Sequence, residues 1–283
     1  MILAIDVGNT HTVIGVFDDG SLQSHWRLAT ERHKTEDEYG LEVLHMLEYA
    51  GIKYQEITGV AIASVVPPLT PVFERVARCY LRCPALVVGP GVKTGINIRY
   101  EHPKDVGPDR IANAVAAHEK YGGPVIVVDF GTATTLDVIS RDGEYLGGAI
   151  APGILTATEA LFERTARLPR IELQRPPSAI GRSTVTSMQA GIVFGFAGQV
   201  DELVRRISRE LGGKPYVVAT GGLAGLVAPE SKTIQTVDPY LTLEGIYLVY
   251  QRNTAAEPNG TVPLSPEKLS ENQTDNGGFR IMT

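Results

Sequence analysis

A duplicated motif constrains the fold of this chain more than any other feature of its sequence. The two copies are Ile5-Asp6-Val7-Gly8-Asn9-Thr10-His11-Thr12 and Val127-Val128-Asp129-Phe130-Gly131-Thr132-Ala133-Thr134-Thr135. An offset of 123 positions, the separation of residues 6 and 129, aligns Asp6 with Asp129, Gly8 with Gly131 and Thr12 with Thr135. The same offset aligns the turn dipeptides Asp19-Gly20 and Asp142-Gly143. A strand–loop–strand unit that occurs twice predicts two related lobes.

Each copy combines a buried strand with groups suited to binding phosphate. Val125 to Val128 predict the strand, because β-branched residues fill a pleated, buried surface. The missing Cβ of Gly131 lets backbone N–H groups approach a ligand, and the threonines add hydroxyl donors. Asp129 is placed to hold a cation directly or through water. One copy alone is also compatible with an ordinary hairpin turn, but the pair favours a nucleotide clamp with one half in each lobe.

Composition restricts the class of protein. A length of 283 residues allows one or two domains, and 43% hydrophobic with 20% charged residues is typical of a soluble globular protein. The net charge of −6 and the lack of a long basic run argue against nucleic acid as a partner. No apolar run reaches membrane-spanning length, and Asp6 interrupts the apolar N-terminus, so neither a membrane segment nor a signal peptide is expected.

Cysteine use agrees with a cytoplasmic location. Cys79 and Cys83 have the spacing of one helical face but lack the partners that a zinc site needs. We expect them to be reduced thiols.

Strand and helix signals alternate along the chain. Thr35 with Glu38 forms a capping box that begins one helix, and Thr70 followed by Pro71 predicts the N-cap and first position of another. Asp238 followed by Pro239 predicts the start of the last helix. This alternation favours an α/β fold in which helices flank a mixed sheet in each lobe. We predict an N-terminal lobe over 1–115, a C-terminal lobe over 116–252 and a disordered polar tail over 253–283.

The stretch 89–108 is a candidate binding loop, because it is long and rich in Gly, Pro and Lys. It contains Tyr100 and ends in Gly107-Pro108-Asp109-Arg110, directly before a predicted helix. The helix macrodipole explains an acid at this position whatever the protein does. It does not explain the adjacent arginine. An acid and an arginine side by side also suit a general base with an anion-binding fork, and both interpretations stay open.

A second predicted helix carries an unusual glycine pattern. It follows Gly181-Arg182-Ser183-Thr184, extends to about Leu211, and contains Gly191, Gly195 and Gly198. These glycines let another helix approach closely, at a cost in helix propensity. The partner helix belongs either to a second copy of the chain or to the same lobe.

Two common nucleotide-binding loops are missing from the sequence. It contains no Gly-x-x-x-x-Gly-Lys-[Ser/Thr] loop and no Gly-x-Gly-x-x-Gly after a strand. Neither copy of the duplicated motif contains a lysine. Phosphate charge would therefore be met by backbone N–H groups, hydroxyls and metal ions held by Asp6 and Asp129.

Four motifs together resemble the acetate/sugar kinase and actin superfamily. They are Asp6-Val7-Gly8-Asn9-Thr10, Gly107-Pro108-Asp109-Arg110, Asp129-Phe130-Gly131-Thr132-Ala133-Thr134-Thr135 and Ala219-Thr220-Gly221-Gly222. In this order, and in a chain this short, they are similar to those of type III pantothenate kinases over residues 1 to about 250. The resemblance implies two related lobes with the nucleotide in the cleft between them. It also implies ATP-dependent phosphorylation of pantothenate to 4'-phosphopantothenate, the first step of coenzyme A biosynthesis.

The resemblance further implies a role for each residue of the motifs. Asp109 would be the catalytic base. The ATP-binding residues would be Asp6, Val7, Gly8, Asn9, Thr10, His11, Thr12, Val13 and Thr132. The pantothenate pocket would be lined by Tyr100, Gly107, Pro108, Asp109, Arg110 and Thr184, with Thr184 reaching it across a homodimer interface. Asp6 would hold Mg²⁺ through water, and Asp129 would bind a monovalent cation, K⁺ or NH₄⁺.

Two other functions remain compatible with the sequence. One is a kinase of the same superfamily that phosphorylates a different hydroxylated small molecule. The other is a non-catalytic regulator in which the same loops sense ATP. The presence of both Asp6 and Asp109 argues for an active enzyme.

Overall fold

The fold is taken from a computed structural model, which describes residues 1–254 of the chain. Within these residues the strands are β1 (Ile2–Val7), β2 (His11–Asp18), β3 (Ser21–Ala29), β4 (Gly59–Ser64), β5 (Ala85–Val87), β6 (Asn97–Ile98), β7 (Val125–Phe130), β8 (Ala133–Ile139), β9 (Glu144–Pro152), β10 (Tyr216–Thr220) and β11 (Thr236–Val237). The α-helices are α1 (Glu36–Tyr49), α2 (Thr70–Val76), α3 (Pro108–Tyr121), α4 (Ile154–Glu163), α5 (Thr184–Glu210), α6 (Ala224–Val227) and α7 (Leu241–Thr254).

The strands form two sheets that share a five-strand layout, to which the second sheet adds β6. The first has the order β3-β2-β1-β4-β5, and the second has the order β11-β10-β7-β8-β9-β6. In each sheet the first strand of the repeat pairs antiparallel with the strand after it and parallel with a later strand. The offset of 123 positions superimposes the limits of β1 on those of β7 and the limits of β3 on those of β9. The predicted duplication and the mixed α/β sheets are therefore confirmed.

Helices α3 and α7 pack between the two sheets. The central core cluster contains Ala4 and Phe17 from the first sheet and Val125 and Val127 from the second, together with apolar residues of both helices. The Phe17 ring stacks on that of Tyr247 with centroids 4.6 Å apart. On the outer faces, α1 and α2 pack on the first sheet, and α5 and α6 pack on the second.

The division into lobes at residues 115 and 116 stays a prediction. That point falls inside α3, whose side chains join the core cluster shared by both sheets. The short strand β6 precedes α3 in the chain, yet it pairs with β9 of the second sheet. Two residues of the candidate binding loop are therefore built into the second sheet.

Local capping signals were predictive at one helix and not at two others. Thr35 and Glu38 form the predicted capping box at the start of α1. Thr70 is not the N-cap of α2, because a 3₁₀ turn over Pro67–Leu69 runs directly into the helix and leaves Leu69 at the cap. The last helix begins at Leu241, later than predicted, while Asp238 Oδ1 accepts a hydrogen bond from the Tyr240 N–H at 3.3 Å.

The last described helix is attached to the candidate binding loop. Asn253 Nδ2 donates to the Lys93 carbonyl at 2.9 Å, and the Lys93 N–H donates to Asn253 Oδ1 at 3.0 Å. Residues 253 and 254 therefore belong to α7 rather than to the predicted tail. The remainder of that predicted tail, 255–283, lies outside the described residues.

Two further expectations concern thiols and membranes. Cys79 and Cys83 are both free thiols. Over residues 1–254, no helix has the length and apolar character required to cross a bilayer.

Candidate active site

Three carboxylates from different elements lie close together between the two sheets. Asp6 is the fifth residue of β1, Asp129 is the fifth residue of β7, and Asp109 lies in the first turn of α3. Burial, and then the charges of Asp109 and Asp129, raise the pKa of Asp6 well above its ordinary value. Burial also raises the pKa of Asp109, although the N–H and charge of Arg110 oppose it. The fold therefore concentrates negative charge at this position.

Asp129 is held by neighbours that, among residues 1–254, place a hydrogen-bond donor on only one of its two oxygens. Asn113 Nδ2 donates to Asp129 Oδ2 at 3.2 Å, and Thr242 Oγ1 donates to Asn113 Oδ1 at 2.7 Å, which fixes the amide orientation. Gly221 has φ +91°, and a Cβ there would lie 2.5 Å from Asp129 Oδ1. Burial, followed by the charges of Asp109 and Asp137, raises the pKa of Asp129 to about 7. A bound cation would offset the negative charge of ionised Asp129 and lower its pKa again.

We expect the stability of the cation-free protein to fall as pH rises across this range. The three acids have raised pKa values in the fold, so the folded chain binds more protons than the unfolded chain between about pH 4 and 7. This contribution to the free energy of unfolding is present below pH 4 and is lost as pH rises through 7. At most about 4 kcal/mol of the loss belongs to Asp129. Melting temperatures between pH 5 and 8, in sodium buffers that contain EDTA and neither K⁺ nor NH₄⁺, measure it.

Two variants separate this effect from general pH dependence. Asp129→Asn should melt higher than the wild type at pH 8 in the same buffers without K⁺ and NH₄⁺, and show a flatter pH profile. Asp201→Asn is the control, because its expected change in stability has the opposite sign. Burial acts against the charge of Asp201, but hydrogen bonds from Ser231, Lys232 and Thr233 outweigh it and lower its pKa, so this variant should lose stability at pH 8. Equal pH profiles for Asp129→Asn and the wild type would contradict the expectation.

The two glycine–threonine loops meet between the sheets. The Gly8 N–H donates to the His11 carbonyl at 3.0 Å, three residues on, and the Gly131 N–H donates to the Ala133 carbonyl at 3.1 Å, two residues on. Each glycine thus closes its own turn, and the first loop is one residue longer than the second. Thr10 and Thr132 are exposed, and their hydroxyl oxygens are 3.0 Å apart. This contact joins the two copies of the duplicated motif. The loops together present a surface of N–H and hydroxyl donors, as a phosphate group requires.

The first loop is braced from behind by Thr30. Its hydroxyl donates to the Gly8 carbonyl at 2.7 Å and lies 3.0 Å from that of Thr12, and its N–H donates to the Thr10 carbonyl at 3.0 Å. Arg32 Nη2 also donates to Asn9 Oδ1 at 3.0 Å. The loop is thus held in place without a ligand.

The remaining ATP-binding candidates differ in accessibility. Val7 is fully buried, so its side chain contributes to the core and only its backbone adjoins the loop. Val13 is partly buried and packs on the central core cluster. His11 is exposed at the start of β2, and its pKa is lowered by partial burial and by the charge of Arg27.

The predicted substrate residues cluster around the first turn of α3. Gly107 is the N-cap and Pro108 the first helical residue, and no side chain caps the helix. Arg110 forms an ion pair with Asp137, with Arg110 Nη2 and Asp137 Oδ1 2.7 Å apart. The Arg110 guanidinium lies 5.8 Å from the ring centroid of Tyr145, which contacts the Tyr100 ring edge-on at 6.3 Å.

Thr184 lies apart from this cluster within the described chain. It is exposed at the first position of α5 and lines an open cavity of about 850 Å³ with Gly181, Met188 and Phe196. Within residues 1–254 its side chain has no hydrogen bond to any of the other predicted substrate residues.

The carboxylates of the site suit cations only in part. Within the part of the chain that the structure describes, no group of three or more His, Cys, Asp or Glu side chains could hold a metal ion. Asp6 and Asp129 therefore do not form a preformed protein cage. Burial and neighbouring carboxylates raise the pKa of both acids, and the charge of Arg110 offsets this only in part at Asp129. This arrangement fits cations that share their coordination with water and phosphate oxygens, as Mg²⁺ does.

Sequence reasoning missed four residues of this site. Asn113 and Thr242 orient Asp129, while Asp137 and Tyr145 surround Arg110. Asn113 was detectable, because it lies four residues after Asp109 and therefore on the same face of α3. Asp137 gave a weaker signal as an acid inside an apolar strand.

The fold and the site define a class before any relative is considered. Two related sheets, a pair of phosphate-type loops between them and carboxylates beside those loops are the features of the actin and sugar-kinase fold. Two solved structures agree with this fold at low identity. A protein from Campylobacter jejuni assigned to the Baf family of transcriptional activators has a TM-score of 0.57 at 20% identity, over 90% of this chain and 100% of its own. Component A of (R)-2-hydroxyglutaryl-CoA dehydratase from Acidaminococcus fermentans has a TM-score of 0.52 at 15% identity, over 90% and 99%.

The family follows from closer sequence similarity. The sequence profile of type III pantothenate kinases matches residues 2–206. A type III pantothenate kinase from Moorella thermoacetica is 59% identical over 254 residues, which are 90% of this chain and 100% of that protein. The chain belongs to the type III pantothenate kinase family.

Proposed function

We propose that the protein transfers the γ-phosphoryl group of ATP to the primary hydroxyl of pantothenate, the first step of coenzyme A biosynthesis, with Asp109 as the general base. One observation carries the assignment of the site: Asp6, Asp109 and Asp129 come from three elements and meet beside the two phosphate-type loops. Phosphoryl transfer depends mainly on positioning and on neutralising charge. Here the two loops would position the nucleotide, and the carboxylates would hold the cations that neutralise its charge.

The nucleotide phosphates bind between the two loops. The donors are the backbone and hydroxyl groups of residues 6–13 together with Thr132. Because the Thr10 and Thr132 hydroxyls are already 3.0 Å apart, a phosphate oxygen can accept from both with little rearrangement. The Thr220-Gly221-Gly222 turn after β10 is adjacent to Asp129 and supports a nucleoside site at the same edge of the sheet.

Asp109 takes the proton from the acceptor hydroxyl as the new bond to phosphorus forms. Its raised pKa suits this role, because a general base is most effective when its pKa is near the working pH. Arg110, Tyr100, Gly107 and Pro108 surround the same turn of helix. Pantothenate carries a primary hydroxyl at one end and a carboxylate at the other. Asp109 would take the proton of the hydroxyl, and the Arg110 guanidinium would bind the carboxylate.

Cations complete the charge balance. Asp6 is placed to hold Mg²⁺ through water, and Asp129 to bind K⁺ or NH₄⁺. When bound, these cations offset the charge of the phosphates, for which neither loop supplies a lysine.

A coupled assay of ADP formation tests the proposed function. We expect pantothenate to stimulate ATP turnover and to be converted to a phosphorylated product detectable by mass spectrometry. A panel of other small alcohols is the control for acceptor specificity. Stimulation by a different alcohol alone would point to another substrate, and ATP binding without turnover would point to a regulator.

We also expect turnover to depend on the monovalent cation. Replacing Na⁺ or Tris by K⁺ or NH₄⁺ should raise the rate about tenfold or more, equivalent to about 1.4 kcal/mol of transition-state stabilisation. KCl should also raise the melting temperature of the wild type at constant ionic strength, and it should not do so for Asp129→Asn. Equal rates in all four salts, with equal melting temperatures, would exclude a cation at Asp129.

Several surface features support a homodimer. A Cβ built at Gly191, Gly195 or Gly198 would meet no atom within 4 Å, so these glycines do not serve packing inside their own lobe. The neighbouring surface exposes large apolar side chains: Leu155, Leu161, Ile180 and Val185. Monomeric proteins seldom expose so apolar a surface without a partner. Thr184 lies on this surface. A second copy packed there would therefore bring its own Thr184 toward the substrate site of the first.

A further inference from the structure

Asp137 is the most completely buried acid near the proposed substrate site. It lies in β8 with none of its surface exposed. Its Oδ1 accepts from Arg110 Nε at 2.7 Å and from the Tyr145 hydroxyl at 2.6 Å, and Arg110 Nη2 lies 2.7 Å from the same oxygen. Its Oδ2 accepts from Thr135 Oγ1 at 3.2 Å. Asp137 therefore has no free surface with which to touch a substrate.

The position of Arg110 requires such a partner. It lies in the first turn of α3, where the positive end of the helix dipole disfavours a cation. Its side chain is only 11% exposed, so the charge is largely removed from water. Burial opposes that charge, but Asp137, together with Tyr145 and Tyr100, outweighs burial and raises the pKa of Arg110. A guanidinium stays charged in a protein, and Asp137 is the anion that compensates this buried charge.

Asp137 also sets the direction in which the guanidinium points. An arginine side chain carries five N–H donors in a rigid plane, and Asp137 occupies one on Nε and one on Nη2. Three donors remain without a protein partner in the described chain. The Tyr145 ring centroid lies 5.8 Å from the guanidinium carbon, and the Tyr145 hydroxyl donates to Asp137, so the same tyrosine borders the guanidinium and holds its partner. The free edge is therefore presented in one orientation.

We propose that Asp137 is a positioning residue, which holds Arg110 so that its free N–H edge receives the carboxylate of the acceptor substrate. This proposal rests on the proposed function, because it takes an acidic acceptor bound beside Asp109. Charge-assisted pairing of a planar guanidinium with a carboxylate depends strongly on orientation. A loosened Arg110 would still be charged but would bind the carboxylate poorly.

The test compares pantothenate with its alcohol analogue, in which a hydroxymethyl group replaces the carboxylate. In Asp137→Asn the Arg110 side chain loses its charged partner while the volume of residue 137 is kept. We expect kcat/KM for pantothenate to fall about tenfold or more, mainly through KM, while kcat/KM for the alcohol analogue changes less than about threefold. Tyr145→Phe, which removes one hydrogen bond and keeps the ring, should give a smaller change of the same kind.

Asp238→Asn is the matched control. Asp238 is also a nearly buried carboxylate paired with a cation of α3, Lys120 at 2.5 Å, and it accepts from the Tyr121 hydroxyl at 2.9 Å. Its partner Lys120 lies in the last turn of α3, at the opposite end from Arg110. This variant should lose thermal stability without changing the preference for pantothenate over the alcohol.

The outcomes separate this proposal from the proposed function. If Arg110→Gln lowers the preference for the carboxylate and a folded Asp137→Asn does not, Asp137 has only a structural role. Equal decreases of kcat/KM for pantothenate and for the alcohol analogue in Asp137→Asn would also show that Asp137 has only a structural role. If the wild type phosphorylates neither acceptor, the proposed function itself is wrong.

Discussion

Replacing Asp109 by Asn is expected to lower kcat with pantothenate by about 10²–10⁴-fold, the usual contribution of a general base. The amide keeps the size of the carboxylate but cannot take the proton of the acceptor hydroxyl. Nucleotide binding should change little, because the proposed phosphate contacts come from residues 6–13 and Thr132. The variant should also relieve repulsion of Asp6, whose raised pKa depends partly on the charge of Asp109. Its melting temperature in EDTA at pH 8 should therefore equal or exceed that of the wild type.

The competing explanation for Asp109 predicts a different result. If the acid only serves the helix dipole, Asp109→Asn loses about 0.3–1 kcal/mol of stability, a decrease of a few degrees in melting temperature, and keeps its activity. Asp105→Asn is a suitable control, since Asp105 is an exposed acid in the 3₁₀ turn just before α3. Near wild-type turnover in Asp109→Asn, measured with saturating ATP and pantothenate, would show that Asp109 is not the base.

The duplication was predictable because both copies use the same local order of residue types, although the first loop is one residue longer than the second. An acid near the end of a strand, then a glycine, then a threonine entering an antiparallel partner is a short-range pattern that leaves a trace in the sequence. The offset of 123 positions therefore located β7 and β9 from β1 and β3. The capping box at Thr35 was predictable for the same reason, since both of its hydrogen bonds join residues three apart.

Pairings between distant residues were not predictable in this way. Asp137 pairs with Arg110 across 27 positions, and Thr242 reaches Asn113 across 129. Periodicity does not indicate which buried polar side chains meet, because that depends on how α3 and α7 pack between the sheets. The membership of β6 in the second sheet is a similar case. Its two residues pair with β9, and so short a strand carries little pattern of its own.

The glycine pattern of helix α5 has two interpretations, and the structure favours one of them. Its glycines allowed close packing either within the lobe or against a second chain. The space beside Gly191, Gly195 and Gly198 is open in the described chain, so packing within the lobe does not account for them. The cavity lined by Thr184 lies along the same helix. Both observations favour a substrate site that a second copy completes.

Mixing two inactive variants is expected to restore activity, if the site is shared. Asp109→Asn lacks the base, and Thr184→Tyr blocks the pocket with a bulky side chain at an exposed position. In a two-fold dimer, random exchange of equal amounts makes half of the dimers mixed, and one site of each mixed dimer combines an intact Asp109 with an intact Thr184. About a quarter of the wild-type activity should return. Subunit exchange is verified by native mass spectrometry before the assay.

The double variant Asp109→Asn with Thr184→Tyr is the control. If the site is shared, mixing it with wild type should lower the activity below the fraction of wild-type chains. Mixed with wild type, it damages both sites of every mixed dimer when each site takes Asp109 from one chain and Thr184 from the other. Only wild-type dimers then stay active, and activity falls to about a quarter of that of an all-wild-type sample. If each chain builds its own site, the same mixture keeps about half, and the two single variants restore nothing. The two arrangements therefore differ in both mixtures: a quarter against nothing in the first, and a quarter against a half in the second. A chain that remains monomeric in sedimentation would exclude the shared site outright.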